Sequence, residues 1–274
     1  LALWLSELSI VNCQLSIHTM SNNSPKQMIT LKNVSKVFKK QVVLEDISLK
    51  IKPGEFVCIV GPSGAGKSTL IHILAGAEKI TTGTIEFDGV NLRIVPPLAL
   101  RFFKRRIGVV FQNYRLLSKR TVAENIAYPL EVCGAPENLI KARVEGLLGK
   151  MHMKRRANAL PRELSGGELA RTAIARAIAH GPIVLLVDEP TGNLDPDQSL
   201  KVLKLLKQIN KDGTTVVLAT HDLELVKQVK GRIILIEDGK ITKDAKPRAS
   251  KQHEIESTPV RTKSKSKSKK IKVT

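Results

Sequence analysis

The sequence predicts an α/β fold: a mostly parallel, doubly wound sheet, with antiparallel strands on its N-terminal side and a helical subdomain inserted into it. Three observations carry that prediction. An apolar run at 56–60 (FVCIV) leads into Gly61-Pro62-Ser63-Gly64-Ala65-Gly66-Lys67-Ser68-Thr69 and then a helical stretch at 70–75, so strand, glycine-rich loop and helix follow in order. Further apolar runs at 107–111, 183–187 and 215–219 are separated by helical stretches, and 183–187 (IVLLV) is apolar at every position, the pattern of a strand buried on both faces. Gln112, the pair Asp188-Glu189 and His221 each stand just past the end of one such run. In open parallel sheets ligands bind beyond the carboxyl ends of the strands.

Residues 29–34 alternate apolar and polar, a half-buried strand, and two short strands at 42–44 and 47–51 run to the turn Lys52-Pro53-Gly54-Glu55. Phe38 falls in a Lys-rich connection between these strands. Gly76 stops the helix after the loop, and a strand at 83–87 ends in the turn Asp88-Gly89. Residues from about 114 to 180 read as the helical subdomain. Within it Gly166-Gly167 opens a helix at 169–179, which Gly181 ends. An amphipathic helix follows at 200–209, and 232–238 with 240–242 form a closing hairpin around Asp238-Gly239.

Composition bounds the rest. The chain has 274 residues, 42% apolar, enough for one large domain, placed at 28–245. Cys13, Cys58 and Cys133 have neither disulfide-framework nor zinc-site spacing. No run of 18 apolar residues is present, so the sequence contains no membrane-spanning helix. Residues 1–27 carry a short apolar stretch (LALWL) without a basic flank, a poor signal peptide. They are expected to be an extension outside the working protein, which would start near Met20 or Met28; a short amphipathic anchor is the alternative. The formal charge is +20, of which +8 lies in the Lys/Ser-rich stretch 246–274. That tail is expected to be disordered, and a basic excess of this size points to a polyanionic neighbour such as lipid headgroups, nucleic acid or nucleotide.

The loop at 61–69 fits G-x-x-x-x-G-K-[ST]. Its glycines let backbone N–H groups curl around a phosphate, and the helix N-terminus adds partial positive charge. Lys67 can then reach the β- and γ-phosphates of a nucleotide, and the Ser68 hydroxyl can ligate Mg²⁺.

With Leu164-Ser165-Gly166-Gly167-Glu168, the pair Asp188-Glu189 and the strand-end His221, residues 28–244 resemble the nucleotide-binding subunit of ATP-binding cassette (ABC) transporters. The resemblance implies a P-loop NTPase (RecA-like) fold and Mg²⁺-dependent ATP hydrolysis. It implies that Gly61, Pro62, Ser63, Gly64, Ala65, Gly66, Lys67, Ser68 and Thr69 hold ATP, that Phe38 stacks on adenine, and that Ser68, Asp188 and Gln112 serve the metal. Glu189 becomes the catalytic base, His221 the contact to the γ-phosphate, and Gln112 a sensor of metal and attacking water. Ser165 and Gly167 would touch ATP held by a second copy in a head-to-tail dimer, with Asp195 in the loop linking the two sites. Leu169 and Ala170 depart from the Gln-Gln often seen there in the family; hydrolysis is still expected, with a slow rate as one outcome of that departure.

Thr191-Gly192-Asn193-Leu194-Asp195 is similar to the branch holding lipoprotein-releasing, macrolide-efflux and cell-division ATPases. The stretch Arg105 through Gln112, with Leu116-Leu117 and Arg120-Thr121-Val122-Ala123-Glu124-Asn125, resembles the cell-division (FtsE) members most. These imply an FtsX-like integral membrane partner and a peripheral place on the cytoplasmic side of the cell membrane. The partner is expected to dock on Asn113-Tyr114-Arg115-Leu116-Leu117, and anionic lipid to meet the basic tail. A lipoprotein-releasing or macrolide-type exporter is the alternative. A soluble ABC protein acting on nucleic acid or ribosomes is a second one, but the single cassette without a heptad run speaks against it, and no specific nucleic acid is expected.

Overall fold

The structure, a computed structural model, describes residues 27–92, 94–229 and 231–245. The extension before Gln27 and the basic tail at 246–274 lie outside the described residues. In chain order the elements are β1 (Ile29–Phe38), β2 (Gln41–Ile51), β3 (Phe56–Val60), α1 (Lys67–Leu74), β4 (Thr82–Phe87), β5 (Val90–Asn91), α2 (Pro97–Arg105), β6 (Ile107–Val110), α3 (Val122–Val132), α4 (Glu137–Lys150), α5 (Gly166–Ile178), β7 (Val184–Asp188), α6 (Pro196–Lys211), β8 (Thr215–Thr220), α7 (Leu223–Lys227), β9 (Arg232–Glu237) and β10 (Lys240–Ala245).

They form two sheets. An antiparallel one has the order β2-β1-β4-β5, and a six-stranded one the order β10-β9-β3-β8-β7-β6. In the second, β9, β3, β8, β7 and β6 are parallel, and β10 closes the edge as an antiparallel hairpin. The continuous apolar runs have a simple cause. Alternate side chains of each strand serve different cores. Cys58, Val60, Leu185, Val187, Val216 and Leu218 pack with the helices α3 to α6. Val57, Ile59, Leu186, Val217 and Ala219 pack with α1 and the antiparallel sheet.

Several boundaries differ from the sequence reading. The strands expected at 42–44 and 47–51 are one strand, β2, kinked by register shifts opposite Val34 and Lys36. The irregularity is taken up by left-handed Asp46 and Asn33 (φ 53° and 48°), whose side chains hydrogen-bond at 2.7 Å. Short polar side chains tolerate that conformation, so no chain break is needed. Phe38 therefore ends β1 instead of lying in a connection. The helical region begins at Val122, not near 114, because Tyr114 and Arg115 are also left-handed (φ 54° and 47°). α5 starts three residues before the expected 169, with the glycine pair inside its first turn behind the N-cap Ser165. α6 starts at Pro196, capped by Asp195, not at 200. The helix α2 was not read from the sequence at all.

Candidate functional site

The loop after β3 opens directly into α1, whose N-cap is Gly66, left-handed at φ 98° and without a side-chain cap. A Cβ there would stand 2.6 Å from Leu44 Cδ2 and 2.8 Å from the Val43 carbonyl oxygen, so only glycine fits. Uncapped N–H groups at the positive end of a helix make an anion site. Lys67, in the first turn, folds its ammonium back over the loop and donates to the carbonyls of Gly61 (3.0 Å) and Pro62 (2.8 Å).

The strand ends supply the rest. Ser68 Oγ donates to Asp188 Oδ1 at 2.9 Å, joining α1 to the end of β7. Asp188 is buried, and that burial pushes its carboxyl above the usual range, while the Ser68 hydrogen bond pulls it back. A hydroxyl and a buried carboxylate that converge in this way fit a hard divalent cation such as Mg²⁺, which takes oxygen donors and would relieve the buried charge. Glu189 is left-handed (φ 44°), a strained conformation of the kind that gathers at working sites. Its N–H donates to the Ala219 carbonyl at 2.9 Å, which fixes it to the end of β8. Around its carboxylate stand Lys67 Nζ at 3.6 Å, His221 Nδ1 at 3.4 Å and Gln112 Nε2 at 3.4 Å. Residues from the ends of β3, β6, β7 and β8 thus meet at one point, as their positions past the apolar runs predict.

The structure gathers the remaining candidates elsewhere. Ser165 caps α5: its hydroxyl accepts from the Glu168 N–H at 3.4 Å, and its own N–H donates to Glu168 Oε2 at 2.8 Å. The Arg156 guanidinium, 3.0 Å away, and the Ser165 N–H hold the Glu168 carboxyl down to about 2. Gly167 is buried against Gln198, whose Oε1 would lie 2.5 Å from a Cβ. Asp195 accepts from the Gln198 N–H at 2.8 Å. Ser165, Gly167 and Asp195 therefore form a second group, and among the described residues no hydrogen bond or ion pair joins residues 164–168 to residues 61–69. Phe38 stands apart at the β1–β2 turn, 40% exposed, with Lys36 Nζ 4.3 Å from its ring centroid.

Sequence reasoning missed two participants, His72 and Arg176, and gave a third, Tyr114, to partner docking. His72 Nε2 lies 3.9 Å from Asp188 Oδ2, and its place four residues after Ser68, on the same helix face, was the available signal. Tyr114 donates its hydroxyl to the Pro190 carbonyl at 3.0 Å, and Arg176 donates to the carbonyls of Tyr114 and Arg115, each at 2.7 Å. Tyr114 and Leu116 pack against the helical core, so the stretch 113–117 turns inward more than the docking expectation required. A largely apolar groove of about 340 Å³ lies nearby, between β6, α3 and α5, with Ile107, Val109, Pro129 and Val132 on its walls and Lys104 and Arg105 at one side.

A phosphate-cradling loop, a hydroxyl–carboxylate corner and a polar cluster at the ends of parallel strands make up the site of a P-loop nucleotidase. The ABC transporter family pattern matches residues 44–192, so the chain belongs to that family, and it is an ATPase. It is 49% identical over 218 residues to the cell division ATP-binding protein FtsE of Bacillus subtilis, a match covering 79% of this chain and 96% of that protein. It is 45% identical over 215 residues to the methionine import ATP-binding protein MetN of Clostridium acetobutylicum, covering 78% of this chain and 67% of that one. The solved dimeric cassette MJ0796, in a post-hydrolysis state bound to ADP and Pi, superposes with a TM-score of 0.74 at 37% identity over 81% of this chain and all of its own (100%). No helix among the described residues is long and apolar enough to cross a membrane.

Proposed function

We propose that this chain is the ATP-hydrolysing subunit of an FtsE–FtsX-like membrane complex, working in cell division and cell-wall remodelling as a head-to-tail pair of identical cassettes. The observation that carries the enzymatic part is the placing of Glu189 among Lys67, Gln112 and His221. Glu189 takes a proton from the water that attacks the γ-phosphate. Lys67 exchanges its carbonyl partners for phosphate oxygens and offsets their charge. Gln112 orients the water, and His221 meets the γ-phosphate. Ser68 and Asp188, with Gln112, would hold Mg²⁺, which when bound would neutralise charge on the phosphates. Phe38 offers its exposed ring to adenine. Ser165 and Gly167 of one copy face the ATP of the other, and Asp195 lies in the loop between the two sites.

The cell-division role is favoured by the FtsE relative, nearly all of whose length is matched. The integral membrane partner is expected to seat an apolar helix in the groove beside α3, with acidic side chains towards Lys104 and Arg105, while the chain itself stays peripheral on the cytoplasmic side. The similarity to a methionine importer supports a transporter subunit as the second reading.

The test is Glu189→Gln. ATP binding should persist, turnover should fall by about 10²–10⁴, the usual loss when a general base goes, and ATP should trap a dimer. Turnover equal to wild type removes Glu189 from the mechanism. A small membrane protein with an extracellular loop domain, co-purifying from membranes, supports the cell-division role; a methionine permease supports the second reading.

A further inference from the structure

The connection from Gln112 to the helical region is fastened by two side chains that hydrolysis as described does not use. Tyr114 and Arg115 are consecutive left-handed residues, a conformation that L side chains rarely adopt. Both of their carbonyls accept from one guanidinium, that of Arg176, at 2.7 Å each. Arg176 lies in the last turn of α5, the helix that begins at Ser165. The Tyr114 ring packs on the helical core, and its hydroxyl crosses to the Pro190 carbonyl at 3.0 Å. Burial pushes the Tyr114 phenol up, so it remains a donor at neutral pH. Pro190 directly follows Glu189. Upstream, Glu189 is fixed to β8 through its N–H; downstream, its own carbonyl accepts only the longer bond from Gly192, at 3.4 Å.

We propose that Tyr114 is a positioning residue for Glu189: its hydroxyl pins the backbone just after the base, and Arg176 pins Tyr114, so α5 sets where the base stands. The proposal rests on reading Glu189 as the base. It ties the helix that faces a second copy to the carboxylate that would act in this one, through a chain of hydrogen bonds: Arg176 to the carbonyls of Tyr114 and Arg115, and Tyr114 to Pro190.

The clean variant in the full chain is Tyr114→Phe, which keeps the ring and removes one neutral hydrogen bond. Such a bond corresponds to about a five-fold effect. We expect kcat to fall about five-fold with KM for MgATP and nucleotide affinity unchanged. Without nucleotide, amide hydrogen exchange at 191–194 should quicken by a similar factor, a readout independent of activity. Arg176→Met, which keeps the aliphatic stem and removes both donors, should reproduce the loss. In a Glu189→Gln background Tyr114→Phe should alter single-turnover hydrolysis less than about two-fold, because no base remains to be positioned. An unchanged kcat for Tyr114→Phe, or the same loss in both backgrounds, overturns the positioning role. The two readings fail differently: an inactive Glu189→Gln beside an unaffected Tyr114→Phe sinks only the positioning role, whereas a fully active Glu189→Gln sinks the base itself.

Discussion

Two helices of this molecule begin at glycines, and they begin in opposite chemical states. At α1 the N-cap Gly66 has no side chain, no acid occupies the first turn, and a lysine stands there instead. At α5 the N-cap Ser165 and the first-turn Glu168 satisfy each other's N–H groups, and Arg156 neutralises the carboxylate. The first arrangement leaves donors and the positive helix end for an outside anion. The second satisfies two of its donors in advance, the N–H groups of Ser165 and Glu168, and leaves Ser165 exposed with its hydroxyl engaged. Both read from the sequence as phosphate sites, since a glycine-rich helix start is common to both. Only α1 is complete within one chain. At α5, Ser165 would have to share its hydroxyl with Glu168 when it meets a second copy's ATP.

The largest test of that contrast is a methyl group at each start. Gly66→Ala must be left-handed and must displace Leu44 and the Val43 carbonyl, so ATP affinity should fall by about 100-fold or more in a direct binding measurement. At Gly166 the added Cβ meets the Leu194 Cδ2 atom, 2.8 Å away at the tip of a flexible side chain, and the Asn193 carbonyl oxygen at an ordinary 3.7 Å, and the backbone is not left-handed. Gly166→Ala should leave ATP binding by a single chain within about two-fold of wild type. Equal losses at both positions would break the distinction.

A second test compares the carboxylates beside the two starts, because Asp188 is pushed up by burial while Glu168 is held down. A raised carboxyl is one that folding prefers neutral, so its ionisation costs stability; the cost grows as pH rises from the unfolded pKa to the native one and is constant above it. Asp188→Asn should therefore melt higher than wild type at pH 7 in magnesium-free buffer, while magnesium-dependent hydrolysis is lost. The gain should fade as pH falls into the ordinary carboxylate range, about 4, where the wild-type group is neutral too. A lower melting temperature at pH 7 would show that the Ser68 hydrogen bond outweighs the burial.

How far these features were legible depended on what kind of order each residue answers to. The parallel strands were plain because burial on both faces writes itself as unbroken apolar runs, and the polar residues beyond them could be located from the same runs. β2 was cut in two because Glu45-Asp46 looks like a turn; that Asp46 bonds Asn33 across the strand pair is a fact of pairing, which no local pattern carries. The helix α2 opens on the pair Pro96-Pro97, which reads as a break, and is only nine residues long; its apolar and basic residues do fall on opposite faces, so the signal was present and the prolines masked it. Tyr114 read as an exposed anchor for a partner because Tyr and Arg favour interfaces, yet its hydroxyl answers to Pro190, 76 residues away. The Ser165–Glu168 box was visible in the letters themselves, S-x-x-E, but the glycine pair drew the reading towards phosphate instead.

The smallest expected effect tests that box. Ser165→Ala removes a helix cap, about 1 kcal/mol, which in a domain of this size lowers the melting temperature by about 2–4 °C. Glu168→Gln should do something similar, but only at some pH values. Arg156, the Ser165 N–H and the Ser165 hydroxyl all favour the ionised carboxyl, which is held down to about 2, against about 4.3 in an unfolded chain. A depressed carboxyl contributes stability that is fully present above its unfolded pKa and is lost as pH falls through its native one. The difference in stability between wild type and Glu168→Gln should accordingly be flat from pH 7 to about 5 and shrink between about 4.5 and 2. In Ser165→Ala one of the three supports is missing, so the acid-side loss should be smaller and should be complete at a higher pH. If the two melting curves run parallel down to acid pH, the carboxylate is not what caps α5, and its first-turn amides are freer for a second copy's phosphate than the present geometry makes them.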